Sequence, residues 1–398
     1  MKNRLLPTKR IWADSLAVLM RLQFLTLFGL ILAQVFGKTG VASGLFTVTF
    51  FLTALIWLCQ GMLEMGENQR LAMLTVMVSG ISVAGNCLLA QNRISFGYVR
   101  KWVMFCTSVL FLAVCGDYKP GEKEVKILLK GSTGVGIFLA GMYFVQPEKM
   151  YLFGGKVSQY LTFRFTNPNL TAVFLTGITL LQWVQMRENR GFDGALFAGL
   201  GGFLRWCVVK TRSRNALLVL VFFLLVLALA GLGYGIVLEG WLRWMAAAFP
   251  LVFALGYLLL VRLPAVERLL SFLTGAGKAL DSRVWIWELA LEQTGKNPLL
   301  GAYSQISGGT GVSQLHNSHL DVLASYGVVT LCLVCLLLYR LLEPVGRGRG
   351  AYLCRMGFLT LLLAGMGEAM LFSGGMGVYL LFGGLRLLAN YDFEEAPL

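Results

Sequence analysis

The chain has 398 residues, of which 57% are hydrophobic and 14% charged, with a formal net charge of +14. A soluble globular domain carries roughly a quarter of its residues as charged side chains, so this composition excludes the ordinary soluble enzyme. The positive balance does not read as nucleic-acid binding, because in so apolar a chain the nearest anion is a lipid headgroup.

A bilayer core of about 30 Å needs ~20 apolar residues per helix, and about twelve such segments can be placed. They are 13–36, 41–60, 71–90, 102–116, 131–147, 169–186, 194–209, 216–234, 240–261, 317–339, 353–373 and 376–390. The fourth and twelfth are short, so the count runs from about ten to about twelve. The expected fold class is therefore all-α: a polytopic integral membrane protein, with 1–398 forming a single transmembrane domain. The basic start, Met1 to Trp12, precedes an apolar run too long for a signal peptide, and no small-residue cleavage site follows it. Cysteines 59, 87, 106, 115, 207, 332, 335 and 354 fall within or at the ends of these segments and read as small core residues.

The leading Lys2, Arg4, Lys9 and Arg10 favour a cytoplasmic N-terminus, and about twelve spans return the C-terminus to the same side. In that topology the intervals 91–101, 148–168, 210–215 and 262–316 lie outside, and the outer face is at least as positive as the inner one. This reverses the usual bias. Either the topology differs, or the outer cations are there for an anionic ligand, phosphate being the natural match for clustered arginines. The outer cations are grouped: Arg93, Arg100 and Lys101; Arg164 before Asn167-Pro168-Asn169; Lys210, Arg212 and Arg214; then Arg262, Arg268 and Arg283.

The longest outer interval, 262–316, reads as a loop capping the outer face, since it is too small for a core of its own. Asp281 or Ser282 is placed to cap a helix with Trp285, Ile286, Leu289 and Leu291 on its apolar face, ended by Asn297-Pro298. This helix is expected to lie flat at the interface, with Trp285 and Trp287 at headgroup depth. A glycine-rich turn, Gly308-Gly309-Thr310-Gly311, leads to the protein's two histidines, His316 and His319.

His316 is the first candidate for chemistry. An imidazole there can accept a proton, and an imidazolium can pair with phosphate; the alternative is a histidine that merely caps a helix. His319 lies one turn on and shares its face. A metal site would need a third ligand, with Asp321 or Glu368 as possibilities at nonspecific spacing, and no metal or cofactor is expected. Arg283, Arg212 and Arg214 are candidate phosphate clamps or, alternatively, interfacial snorkelling cations. Glu368, in Gly365-Met-Gly-Glu-Ala-Met370, needs a partner at membrane depth. It serves either as a structural ion pair or as a group that orients an arginine or histidine, or acts as a base. Gly131-Ser-Thr-Gly-Val-Gly136 lacks the Gly-Lys-Ser/Thr ending of a phosphate loop and reads as helix packing.

Four stretches, in order, carry a resemblance. They are Asn167-Pro168-Asn169 with Thr171-Ala172; Ser213-Arg214-Asn215-Ala216; Arg283-x-x-x-Trp287 with Asn297-Pro298-Leu-Leu-Gly301; and His316-Asn317-x-x-Leu320 with Gly327 beyond. The region from about 150 to 375 thereby resembles the O-antigen ligase/O-antigen polymerase family of bacterial membrane glycosyltransferases. The resemblance implies a glycan donor carried on undecaprenyl diphosphate, a glycan acceptor, and transfer on the extracytoplasmic side without a metal. It assigns the diphosphate to Arg214 and Arg283, and the reacting centre to His316. Arg212, Arg164, Asn169 and Asn317 complete the candidate binding set, and Glu368 or His316 the candidate base. The family often has Arg-x-x-Gly before its Asn-Pro-Asn, whereas here Arg164 stands there with no glycine between. A transporter or flippase of an anionic, lipid-linked substrate is the alternative; it predicts internal repeats, and none is evident.

Overall fold

The computed structural model describes residues 7–89, 96–165, 167–188, 192–231, 238–264, 266, 268, 281–302, 315–369, 371–372 and 377–393. Among these the protein is all-α, apart from one two-residue hairpin pairing Leu152 with Val157 and Phe153 with Lys156. Seven of the described helices are long and apolar enough to cross a membrane. They are α1 (Pro7–Val35), α2 (Thr39–Leu63), α3 (Glu67–Leu89), α4 (Phe96–Asp117), α5 (Glu122–Val145), α9 (Gly240–Leu260) and α11 (Ser318–Leu341). Between and after them run α6 (Pro168–Glu188), α7 (Phe192–Lys210), α8 (Arg214–Gly231), α10 (Asp281–Lys296), α12 (Gly348–Ala364) and α13 (Gly377–Leu388). The surface pattern is that of a lipid-facing bundle. Leu218, Val221 and Leu225 form an exposed apolar stripe along α8, and Phe51, Leu55, Leu58 and Met62 another along α2.

Helix α11 is the central post. It packs against α3, α9, α4 and α10, while α12 and α13 close the bundle against α4, α6 and α8. Its sequence folds as two helices meeting at Gly327, whose φ of 82° and ψ of 177° interrupt the helical ladder. The peptide 298–302 fills that break. Val328 N donates to the Pro298 carbonyl at 2.8 Å, and Ala302 N to the Ala324 carbonyl at 2.7 Å. Three side chains then take up neighbouring carbonyls: Ser82 Oγ to Tyr326 at 2.8 Å, Tyr98 OH to Ser325 at 2.7 Å, and Asn86 Nδ2 to Leu300 at 2.6 Å. Backbone groups freed by a helix break inside an apolar bundle must be satisfied from within. A Cβ on Gly327 would come within 2.0 Å of the Leu299 oxygen, and one on Gly301 within 2.6 Å of the Ala324 oxygen, so both glycines are required. This is the physical content of the Asn297-Pro298-Leu-Leu-Gly301 and Gly327 stretches.

The helical stop at Asn297 stands as expected, and the placement of α10 needs correcting. Trp287 is buried at 1% exposure and Trp285 is half-exposed at 52%, so Trp287 is not at a headgroup surface. It packs with Ala290, Ala254, Leu258 and Leu320 in a small core between α9, α10 and α11. Of the cysteines, Cys332 is exposed rather than part of the core. Gly131 behaves as a packing residue: a Cβ there would overlap the Phe28 ring at 2.1 Å.

Candidate functional site

Four helix N-termini and one helix C-terminus meet at a single end of the bundle. Asn169 lies in the first turn of α6, Arg214 opens α8, Arg283 lies in the first turn of α10, and Ser318 opens α11. Each start has a local cause. Asn167 Oδ1 accepts from Asn169 N at 2.7 Å, with Pro168 at the first helical position, where its missing N–H costs nothing. Asn317 caps α11, its Oδ1 accepting from His319 N and Leu320 N, both at 3.0 Å. Its Nδ2 donates to the Pro250 carbonyl at 2.7 Å and the Met366 carbonyl at 3.1 Å, so this fully buried amide pins α11 to α9 and to the turn after α12.

That turn carries Glu368. Ser318 N donates to the Gly365 carbonyl at 2.9 Å, and Ser318 Oγ to the Glu368 carbonyl at 2.9 Å. The carboxylate is 1% exposed and is held on both oxygens. Its Oε1 accepts from Asn169 Nδ2 at 2.6 Å and Arg283 Nη2 at 3.2 Å, and its Oε2 lies 3.1 Å from His316 Nδ1. A buried carboxylate is expensive unless it is paired and hydrogen-bonded, and here it is both. Residues 52 and 85 positions apart in the chain, together with one 199 away, are thus drawn onto one carboxylate.

His316 adopts a left-handed conformation with φ 50°. For a residue with a Cβ this stores roughly 1–3 kcal/mol of strain, which surrounding contacts must hold. The neighbours do so: Trp287 Nε1 donates to the Leu315 carbonyl at 2.7 Å on one side, and buried Asn317 anchors the other. The two histidines do not share a face. His319 is fully buried, with Nε2 2.6 Å from the Ala247 carbonyl, turned toward α9 and away from Glu368. Among the described residues no group of three His, Cys, Asp or Glu is placed to hold a metal ion. Asp321 is committed instead to Lys101 Nζ at 2.8 Å, an ion pair nearly closed from solvent.

Beside the cluster opens a cavity of about 760 Å³. Arg212, Arg214 and Arg283 supply its cations, and Leu218, Phe253 and Trp287 an apolar wall. Asn169 and Arg283 line it and also touch Glu368, so the carboxylate and His316 lie directly behind two lining residues. Arg212 has φ 55° and is held by Gln159 Oε1 at 2.8 Å and by the Tyr160 ring, 5.9 Å away. Helix N-termini carry partial positive charge, so the starts of α6, α8 and α10 add to the three guanidiniums. The cavity therefore suits an anion with an apolar extension.

Of the residues expected from sequence, His316, Arg283, Glu368 and Asn169 come together directly, Arg212 and Arg214 line the adjoining cavity, and Asn317 acts as a helix cap. Arg164 is the exception. It does not line the cavity among the described residues; its φ is 64° and its Nη1 lies beside Gly37, where a Cβ would be 3.8 Å away. The Arg164 Nε is buried without a hydrogen-bond partner, a feature the structure does not explain. Arg93 and Gly308-Gly309-Thr310-Gly311 lie outside the described residues. Sequence reasoning named Asn215 only within the Ser213-Arg214-Asn215-Ala216 stretch, without a role, and passed over Gly367 and the anchoring of Trp287. Asn215 Nδ2 donates to the Ala364 carbonyl at 2.8 Å, and a Cβ on Gly367 would crowd Asn215 at 2.9 Å and Arg283 at 3.2 Å. Comparison of the sequence with protein-family models and with curated proteins finds no match in either.

Proposed function

We propose that this protein is a membrane glycosyltransferase that moves a glycan from an undecaprenyl-diphosphate carrier to an acceptor glycan, as an O-antigen or surface-polysaccharide ligase or polymerase. The observation that carries the reading is the division of Glu368 between Arg283 and His316, at the edge of a cavity with three arginines and an apolar wall. The diphosphate is assigned to Arg214, Arg283 and Arg212, with the polyprenyl chain along Leu218, Phe253 and Trp287. About twelve spans, both termini in the cytoplasm and a site on the extracytoplasmic face of a bacterial cytoplasmic membrane belong to the same proposal.

The chemistry follows from the hydrogen bonds. With Nδ1–H donated to the Glu368 carboxylate, the Nε2 lone pair of His316 is left to take a proton, as in any carboxylate-oriented histidine base. Glu368 is itself closed off by three partners, which favours His316 over Glu368 as the base. The acceptor hydroxyl attacks the anomeric carbon; its proton passes to His316 Nε2, a carbon–oxygen bond forms, and the anomeric C–O bond to phosphate breaks. The electron pair leaves with the lipid diphosphate, whose charge the guanidiniums and helix N-termini stabilise. No step needs a metal or cofactor.

The test is an assay of purified protein in lipid with a lipid-diphosphate oligosaccharide, read on a gel and by mass. A ladder of repeats marks a polymerase, and a single addition requiring a separate acceptor marks a ligase. Failure to form any glycosidic bond, with intact substrate crossing the bilayer, would replace this reading with transport.

A further inference from the structure

A second cavity, of about 720 Å³, lies at the opposite end of the bundle. Helix α11 connects the two regions. Its first residue contacts Glu368, and near its other end Arg340 pairs with Glu67, a residue of this second cavity, while Leu341 packs at Gly116. The helix has 24 residues in two segments that meet at Gly327, at most about 36 Å at 1.5 Å per residue, which is enough for one bilayer core. The second cavity thus lies at the other end of a span of bilayer length, where a lipid headgroup would be met.

Its lining is mixed in a specific way. Some charged groups are already committed: Asp117 Oδ1 accepts from Asn68 Nδ2 at 2.6 Å and its Oδ2 from Gln69 N at 3.1 Å. Gly66 makes that arrangement possible, because a Cβ there would fall 2.1 Å from Asp117 Oδ2. Others are open. Among the described residues, Glu64, Arg70 and Lys119 have no side-chain hydrogen bond or ion pair. Gln60 lines the cavity at 6% exposure, and its Oε1 is buried with no donor in reach. An unmet buried acceptor costs about 1–3 kcal/mol and is accounted for when a ligand supplies the missing N–H or O–H. Leu16 and Leu63 give the cavity an apolar edge.

One acceptor without a donor, one open carboxylate, two open cations and an apolar edge match a zwitterion on a lipid. We propose that this cavity binds the headgroup of an ethanolamine phospholipid. The phosphodiester sits against Arg70 and Lys119, the primary ammonium donates to Glu64 and Gln60 Oε1, and the glycerol end lies along Leu16 and Leu63. The assignment is independent of the reaction at the other end of the bundle. A choline headgroup carries the same charges but no N–H donor, so it leaves Gln60 Oε1 unmet; an anionic glycerol headgroup places nothing positive against Glu64.

The experiment measures lipid affinity of the full-length protein in detergent by native mass spectrometry, with thermal unfolding as a second readout. Phosphatidylethanolamine is expected to bind at least about tenfold more tightly than phosphatidylcholine or phosphatidylglycerol, the worth of one charge-assisted hydrogen bond. Glu64→Gln and Arg70→Gln are both exposed and so compatible with folding; Glu64→Gln is expected to remove that preference and Arg70→Gln to weaken binding of all three lipids alike, each leaving the melting temperature of lipid-free protein unchanged. Equal or tighter binding of phosphatidylglycerol overturns the proposal, as does an undiminished preference in Glu64→Gln or undiminished affinity for all three lipids in Arg70→Gln. Equally tight binding of water-soluble glycerophosphoethanolamine overturns the lipid source.

Discussion

His316 Nδ1 lies 3.1 Å from Glu368 Oε2, and both residues are held from the backbone side by Ser318 and Asn317, the first two positions of one helix start. The imidazole and the carboxylate thus move as one unit with α11. Glu368→Gln keeps the shape, removes the charge and lets the amide donate, so the His316 tautomer is no longer fixed. We expect kcat to fall at least about 10²-fold with KM little changed, a split typical of lost base catalysis. An unchanged kcat would show that Glu368 is only a structural partner of Arg283.

The two histidines should separate cleanly by readout. His316→Gly is expected to abolish transfer while leaving thermal unfolding within about 1 kcal/mol of wild type, because glycine relieves the strained φ as a contact is lost. His319→Ala removes the buried contact to the Ala247 carbonyl and opens a cavity, so it is expected to destabilise by about 2–4 kcal/mol. Unfolding in detergent, measured beside activity, distinguishes the two.

The tryptophans of α10 give a sharper test of packing. Trp287→Phe removes the donor to Leu315 and should cost about 1–3 kcal/mol, with reduced activity because Leu315 adjoins His316. Trp285→Phe, at a half-exposed position, should change stability by less than about 0.5 kcal/mol.

Much of this fold was legible in the sequence, because apolar length alone marks a membrane helix. Even α6 and α7, which fall short of that standard, coincide with expected segments at 169–186 and 194–209. The grouping of His316, Arg283 and Glu368 was legible only as residue types that need partners at membrane depth. Which partner each takes depends on the packing of α6, α10 and α12, and no local pattern encodes that. Trp287 was misplaced for the same reason: an aromatic at the start of an amphipathic helix reads as interfacial until Leu258 and Leu320 are seen to cover it. Arg164 was drawn in by its closeness in sequence to Asn169, but the turn at Phe163 and Arg164, with φ 46° and 64°, carries its side chain toward Gly37.

Gly327 and Leu299 make the case for the broken helix. Gly327→Ala places a methyl group 2.0 Å from the Leu299 oxygen at a φ of 82°, so neither the backbone nor the facing peptide has room to yield. We expect a loss above about 4 kcal/mol and failure to accumulate folded protein, judged by size-exclusion profile in detergent. A monodisperse variant with wild-type melting would mean that α11 is continuous there.

Arg283→Lys keeps the charge but loses the planar fork that serves Glu368 and the cavity together, so it is expected to behave nearly as Arg283→Ala does. Arg212→Ala and Arg214→Ala should each raise KM for a lipid-diphosphate donor by roughly tenfold with a smaller effect on kcat. A uniform, mild effect across all three would point to a general field rather than a clamp.

The most direct measurement counts two products in one reaction: glycosidic bonds formed and undecaprenyl diphosphate released, by purified wild type and by His316→Ala in proteoliposomes. Transfer at this site predicts equal amounts of both from wild type and neither from the variant. Release of lipid diphosphate without a new glycosidic bond, or equal turnover by His316→Ala, would contradict it.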